Sequence, residues 1–329
     1  MDYINYVKQY PLSLTGMGGI IGGLAFAGVG YDTTEINAGD RGIIAGGAEN
    51  SSNKSTKILS FDITTTGNAT DSNKDIYDNE RQQGCSNGTR AVVGGGGNPY
   101  TNQIHYFNIP GTITNSSDFG DLTKAKAYFG CLSDGGRAVW GGGYDGTGPA
   151  LDDMDYVSIM TTGNAADFGN LLAAQGYGPA GLADTTRGVW AAGNPNTSQI
   201  TYITVQTLSN SAFFGSMDAS RFSTTGCASA TRGVWGGGDP SNKNDIDYVT
   251  IQTTGNTTDF GNLTVGRTAL GACSNYTRGV FCGGNYPPGG LNYGNYMDYI
   301  TIASTGNATD FGDTEPNTGW AATLSGAAS

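Results

Sequence analysis

Six stretches of the chain alternate polar with β-branched or aromatic side chains, as a half-buried strand requires: KILSFDI, QIHYFNI, MDYVSIM, QITYITV, IDYVTIQ and MDYITIA. Each follows a second kind of run, in which a basic residue leads a short apolar segment and a glycine cluster. These runs start at Arg41 (RGIIAGG), Arg90 (RAVVGGG), Arg137 (RAVWGGG), Arg187 (RGVWAAG), Arg232 (RGVWGGG) and Arg278 (RGVFCGG). Successive arginines stand 45 to 50 residues apart. Upstream of them lie small-residue strands such as GCSN, FGCLSD and GCASA. After four of the alternating strands comes a Gly-Asn turn, at Gly67-Asn68, Gly163-Asn164, Gly255-Asn256 and Gly306-Asn307. Both residue types tolerate the positive φ of tight hairpins. A short strand with Asp-Phe-Gly follows at Asp118, Asp167, Asp259 and Asp310; the fourth repeat keeps only Phe214-Gly215, and the first has lost the motif. Four short strands in about 40–50 residues make one propeller blade. The pattern therefore predicts an all-β propeller with six full four-stranded repeats.

The ends leave the blade number at six or seven. Residues 1–40 form an irregular segment, and 41–329 the propeller. MDYINYV at the start matches the alternating strand, and Gly319–Ser325 matches the small-residue strand. Together they predict a composite blade in which the N-terminal segment contributes a closing strand, with GGIIGG at Gly18–Gly23 a degenerate candidate for the missing piece.

Composition narrows the functions. Glycine makes up 55 of 329 residues, against an ordinary share of about 7%; its periodicity places it in ordered strands rather than a linker. A net charge of −12 excludes a nucleic-acid partner, which needs a basic stripe. The opening MDYINYVKQY has no basic run before an apolar core, and Gly19–Gly28 is too short and glycine-broken to span a bilayer. Cys85, Cys227 and Cys273 stand five residues before their arginines and Cys131 six. On separate blades such positions are expected to lie beyond disulfide reach, as small buried hydrophobes.

No catalytic signature emerges. The one histidine, His105, takes the place held by Asp155, Asp247 and Asp298 in other repeats and reads as a drifted surface-strand residue. Asp152, Asp153 and Asp155 lack EF-hand spacing and read as a solvated acidic loop. The glycine clusters are not followed by Lys-Ser/Thr, so they are not phosphate loops. Asp-Phe-Gly recurs without a kinase's other motifs and reads as blade packing. About ten Asn-X-Ser/Thr matches arise from the turn residues and say little about glycosylation. The repeat arginines read as structural, pairing with the Asp of Asp-Phe-Gly or solvated at a strand start. No metal or cofactor is implied.

Irregular loops on a regular scaffold are where function concentrates. Two stand out, Tyr144–Ala150 in repeat three and Asn285–Tyr296 in repeat six. Tyrosine offers flat apolar area with a polar tip. Tyr144, Asp145, Tyr286, Tyr293 and Tyr296 are the candidate ligand-binding residues, with the tyrosines of repeat six as stacking groups.

The double glycine followed by a tyrosine-bearing strand resembles the kelch repeat. Segments such as IDYVTIQTTGNTTDFGNLTVGR and CSNYTRGVFCGG resemble repeats of virion structural proteins in tailed phages, marine cyanophages especially, from about Arg41 to Gly312. The departures are Ala191-Ala192 in the fourth glycine cluster and the first repeat's missing Asp-Phe-Gly. The resemblance implies a non-enzymatic particle protein on the tail or fibres, extracellular with the virion. Its partners would be other virion proteins, further copies of itself, and a host-surface glycan or receptor. A purely architectural subunit and an intracellular kelch-type scaffold are the alternatives.

Overall fold

The computed structural model describes residues 39–50, 53–195, 197–275, 277–286 and 293–326. Those residues form 24 strands in six four-stranded antiparallel sheets, without a helix. Blade two shows the plan. Its inner strand Gln83–Ser86, arginine strand Arg90–Gly94, tyrosine strand Gln103–Asn108 and outer strand Ser117–Asp121 are hydrogen-bonded in that order. The inner strands of blades one to six are Ala322–Gly326, Gln83–Ser86, Gly130–Ser133, Ala180–Ala183, Thr225–Ala228 and Gly271–Ser274. Each lies beside the next around a closed circle, so the fold is a six-bladed β-propeller. Small residues occupy these strands because six backbones converge there on one axis.

Blade one is closed by the far end of the repeat array. Ala322–Gly326 pairs antiparallel with Arg41–Ala45, from Arg41 opposite Gly326 to Ala45 opposite Ala322. The small-residue strand near the C-terminus thus completes the first repeat, and the described residues form six blades with no seventh. MDYINYV, GGIIGG and the closing role expected of the N-terminal segment lie outside the described residues.

The core sits between blades. Six apolar clusters each join two neighbours, as where Phe119 and Leu122 of blade two meet Trp140 and Val157 of blade three. The aromatic residue of an arginine strand leans on the preceding blade. Trp140 Nε1 donates to Gln83 O at 3.0 Å and Trp235 Nε1 to Ala180 O at 3.2 Å. A Cβ at Gly236 would come within 2.7 Å of the Phe281 ring, so the cluster's first glycine makes room for the next blade. The following residue has φ between 62° and 77° in all six blades, and Ala192 at 69° bears the strain where glycine is absent.

Two rings of polar bonds lock the blades on one face. Each repeat arginine reaches forward: Arg90 Nη1 donates to Met160 O at 3.0 Å, Arg232 to Ile302 O at 2.9 Å, and Arg278 to Ile63 O at 3.0 Å. In five blades its guanidinium also lies over that blade's own tyrosine, 4.3 to 4.7 Å from the ring centre. The half-buried arginines therefore pair with carbonyls of the next blade and not with the Asp of Asp-Phe-Gly. Turn asparagines reach the other way. Asn164 Oδ1 accepts the Asp121 N–H at 3.1 Å and Asn256 Oδ1 the Ser216 N–H at 3.0 Å, and Asn68, Asn115, Asn210 and Asn307 repeat the bond.

Asp-Phe-Gly finds its reason here. Its Phe is buried, and its Gly sits where the outer strand bulges, against the next blade's turn; a Cβ at Gly261 would lie 2.4 Å from Gly306 O. In blade one the place belongs to Asp71-Ser72-Asn73, with Asn73 at φ 55°.

Candidate functional site

The opposite face carries the glycine-cluster loops and the connectors between blades. Where each connector crosses to an inner strand, one residue takes a left-handed φ: Arg81 (61°), Tyr128 (59°), Tyr177 (45°), Ser223 (52°), Ala269 (58°) and Trp320 (54°). Their backbones form a closed collar. Arg81 N donates to Trp320 O (3.1 Å), Tyr128 N to Arg81 O (3.2 Å), Gly178 N to Tyr128 O (2.8 Å), Ser223 N to Tyr177 O (2.7 Å), Ala269 N to Ser223 O (3.0 Å) and Trp320 N to Ala269 O (2.9 Å). Blade four has one extra residue, so Tyr177 accepts and Gly178 donates. Each left-handed residue costs about 1–2 kcal/mol unless the surroundings fix it; here the collar does.

Three of the six collar side chains are aromatic, from blades one, three and four, and their rings meet at the mouth of the channel. Tyr128 meets Trp320 edge-on at 5.0 Å between ring centres, Tyr177 at 4.9 Å and Tyr144 at 6.4 Å. Tyr177 also contacts Tyr144 at 4.7 Å and Phe222 at 6.3 Å. The Arg81 guanidinium lies 5.1 Å from the Tyr128 ring centre and is neutralised by Glu80 at 2.6 Å. Tyr100, packed over Gly146 of the blade-three loop, extends the patch. Tyr177 and Tyr100 are 38% and 36% exposed, while Tyr128, Tyr144, Phe222 and Trp320 are half-buried. Burial pushes the Tyr128 hydroxyl above its ordinary range, and burial also raises Tyr100 and Tyr144. All three are neutral hydrogen-bonding groups at pH 7. Beneath the mouth the axial channel narrows to cavities of about 80 and 50 Å³. A sugar-sized ligand would rest on the rings rather than enter.

The chain matches no family model and no curated protein.

Of the residues singled out in the sequence, Tyr144 belongs to this cluster. Asp145 beside it accepts the Thr147 N–H at 2.9 Å and hydroxyl at 2.8 Å, bonds that hold its carboxyl below the usual range and shape the loop. Tyr286 and Tyr296 meet edge-on at 5.3 Å on the blade-six loop. Tyr293 is 3% exposed, because the Asn285–Tyr293 bridge folds its ring against Gly319. Burial raises its hydroxyl to about 12, with a hydrogen bond from Trp320 opposing. Its ring is thus packing beneath the mouth, not an exposed stacking face. Sequence reasoning missed Tyr128, Tyr177, Phe222 and Trp320. Aligning the connectors nine or ten residues before the arginines of blades two to six would have exposed the collar position at Arg81, Tyr128, Tyr177, Ser223 and Ala269.

Three other expectations change. Asp155, Asp247 and Asp298 are 1% exposed and ion-paired, with Lys126 (2.7 Å), Arg221 and Arg267 (2.7 Å) respectively. Asp153 pairs with Lys124 at 2.5 Å. Asp153 and Asp155 are thus paired with cations rather than solvated, while Asp152, in the loop before the strand, accepts the Asn170 amide at 3.2 Å. His105 is a half-buried residue stacked on Tyr77 at 4.1 Å, and burial lowers its pKa against the pull of Asp118. Cys85 and Cys131 bring their sulfurs to 3.0 Å, because neighbouring inner strands are in contact. Among the described residues no three His, Cys, Asp or Glu side chains gather as metal ligands.

Proposed function

We propose that this protein is a non-enzymatic structural component of a tailed-phage virion, exposed on the tail or fibres, whose aromatic mouth binds a host-surface glycan. The virion part of this reading rests on the repeat resemblance described above. The observation that supports binding is the exposed Tyr177, held by the collar within a cluster of five further aromatic rings. Rigid rings lose little entropy on contact, and their hydroxyls suit a sugar's polar edge. Binding of labelled protein to a glycan array and to candidate host cells tests it, with Tyr144→Ser and Tyr177→Asn alongside. Asparagine is chosen at 177 because it tolerates the left-handed φ. Affinity should fall about tenfold, or ~1.4 kcal/mol, in either variant. Unchanged attachment would refute the site.

One observation favours the architectural reading. Met160, Leu172, Leu208 and Phe213, on the turns and outer strand of blades three and four, are 50 to 57% exposed. Such a rim suits docking onto a neighbouring virion protein. Replacing Leu172 and Phe213 by Ser should then impair particle assembly while leaving glycan binding intact.

A further inference from the structure

We propose that Cys85 and Cys131 are the two halves of an inter-blade disulfide, closed by a small peroxide entering the axial channel. Cys85 lies on the inner strand of blade two and Cys131 on that of blade three. Their sulfurs stand 3.0 Å apart, and both residues line the cavity of about 80 Å³. A disulfide bond is about 2.05 Å long, so closure needs an approach of about 1 Å. The contact follows from a one-residue offset: one cysteine stands five residues before its arginine and the other six. Cys85 is buried in the apolar cluster that includes Trp140, while Cys131 is the more exposed of the two.

The cavity selects the oxidant. Water occupies about 30 Å³ in the liquid, so this space admits a few water-sized molecules. Hydrogen peroxide fits and a peptide disulfide does not. The Cys131 thiolate attacks one peroxide oxygen, the O–O bond breaks, and hydroxide leaves to take up the thiol's proton as water. The Cys85 sulfur then attacks the sulfenic sulfur, the S–S bond forms, and the S–O bond breaks. The departing hydroxide takes the Cys85 proton and leaves as a second water. Two thiols are oxidised, one peroxide is reduced, and atoms balance. Burial, with Cys85 adjacent, raises the Cys131 thiol well above its ordinary range, so little thiolate exists at neutral pH and closure speeds up in alkali. The product staples blades two and three at the axis.

The full-length protein would be treated in its native state with hydrogen peroxide at pH 7 and pH 9, then unfolded, alkylated and mapped without reductant. The expected result is loss of two of the five thiols, a Cys85–Cys131 linked peptide, and faster closure at pH 9. Cys227 and Cys273 line the same cavity and Cys273 is hydrogen-bonded to Cys282, so these three thiols are the internal competitors; all three are buried where Cys131 is not, and they should react more slowly. In Cys85→Ser, Cys131 should stall as a sulfenic acid that dimedone captures. No linked peptide in the wild type, or linkage among the other three cysteines at an equal rate, would overturn the proposal. The wild-type map stands alone should the variant not fold.

Discussion

Asp247 is the carboxylate whose surroundings work hardest against its charge. Burial raises its pKa to about 7, Arg221 pulls the other way, and Asp218 adds repulsion. Asp218 is more exposed; burial opposes its ionisation too, but Arg221 holds it below the usual range. An unfolded Asp247 would titrate near 3.8. Between that value and about 7 the folded protein holds the Asp247 proton more tightly than the unfolded chain, so this residue's contribution to stability falls as pH rises through the window. The advantage of wild type over Asp247→Asn in thermal unfolding should therefore shrink from pH 4 to pH 7. A constant difference across those buffers would contradict the assignment. The same residues show where sequence reading stopped. Asp155, Asp247 and Asp298 were recognisable as equivalents, but a polar residue on an alternating strand normally faces water. Their cations, Lys126, Arg221 and Arg267, each stand eleven residues before the arginine of the same blade, a spacing whose meaning shows only once the blade is assembled.

At the scale of strands and turns, Gly215 and Gly255 carry opposite expectations. A Cβ at Gly215 would lie 2.0 Å from Gly255 O, a backbone atom that cannot move without separating blades four and five. A Cβ at Gly255 would meet nothing within 4 Å. Gly215→Ala should cost ~1–3 kcal/mol, as overpacking does, and Gly255→Ala should stay within about 0.5 kcal/mol of wild type. Urea unfolding of both variants checks the pair. Removing one turn clasp with Asn256→Ala, which leaves the Ser216 N–H without that acceptor, should cost about 1 kcal/mol by the same measurement. Strand order and the four-strand unit were legible in the sequence because glycine clusters, tyrosines and Gly-Asn turns recur in phase. The collar was not. Arg81, Tyr128, Tyr177, Ser223, Ala269 and Trp320 share a backbone geometry and no side-chain type, so only the spacing before the arginines, and no residue type, marks the first five as equivalent. The aromatic mouth exists because this permissive position holds aromatic residues in three blades that the ring brings together.

Across the whole molecule, every blade is tied to both neighbours, and one joint differs in kind. Five blades are built from contiguous chain, whereas blade one takes its inner strand from Ala322–Gly326. Deleting residues from Ala321 onward removes that strand and leaves the edge of Arg41–Ala45 open. The truncated protein should lose cooperative unfolding and form aggregates through the bare edge, visible as broadened thermal melts and early-eluting species on size exclusion. A compact monomer with a wild-type melting curve would contradict this account of closure. The sequence grouped Gly319–Ser325 with MDYINYV in one composite blade; the observed partner of Ala322–Gly326 is Arg41–Ala45, a choice hidden because the small-residue strand fits any blade equally well.

The joint in blade one also sets a timetable for biosynthesis. On the ribosome, the chain from Arg41 emerges while its partner is still untranslated, and synthesis at about 5–20 residues per second lets N-terminal parts fold first. The growing protein is then an arc of blades with an unsatisfied strand at its leading edge, until Ala322–Gly326 leaves the exit tunnel and the arc snaps into a circle. Weakening that last strand would act first on yield, through capture of the open arc by other nascent chains, before it registered in the stability of molecules that had already closed.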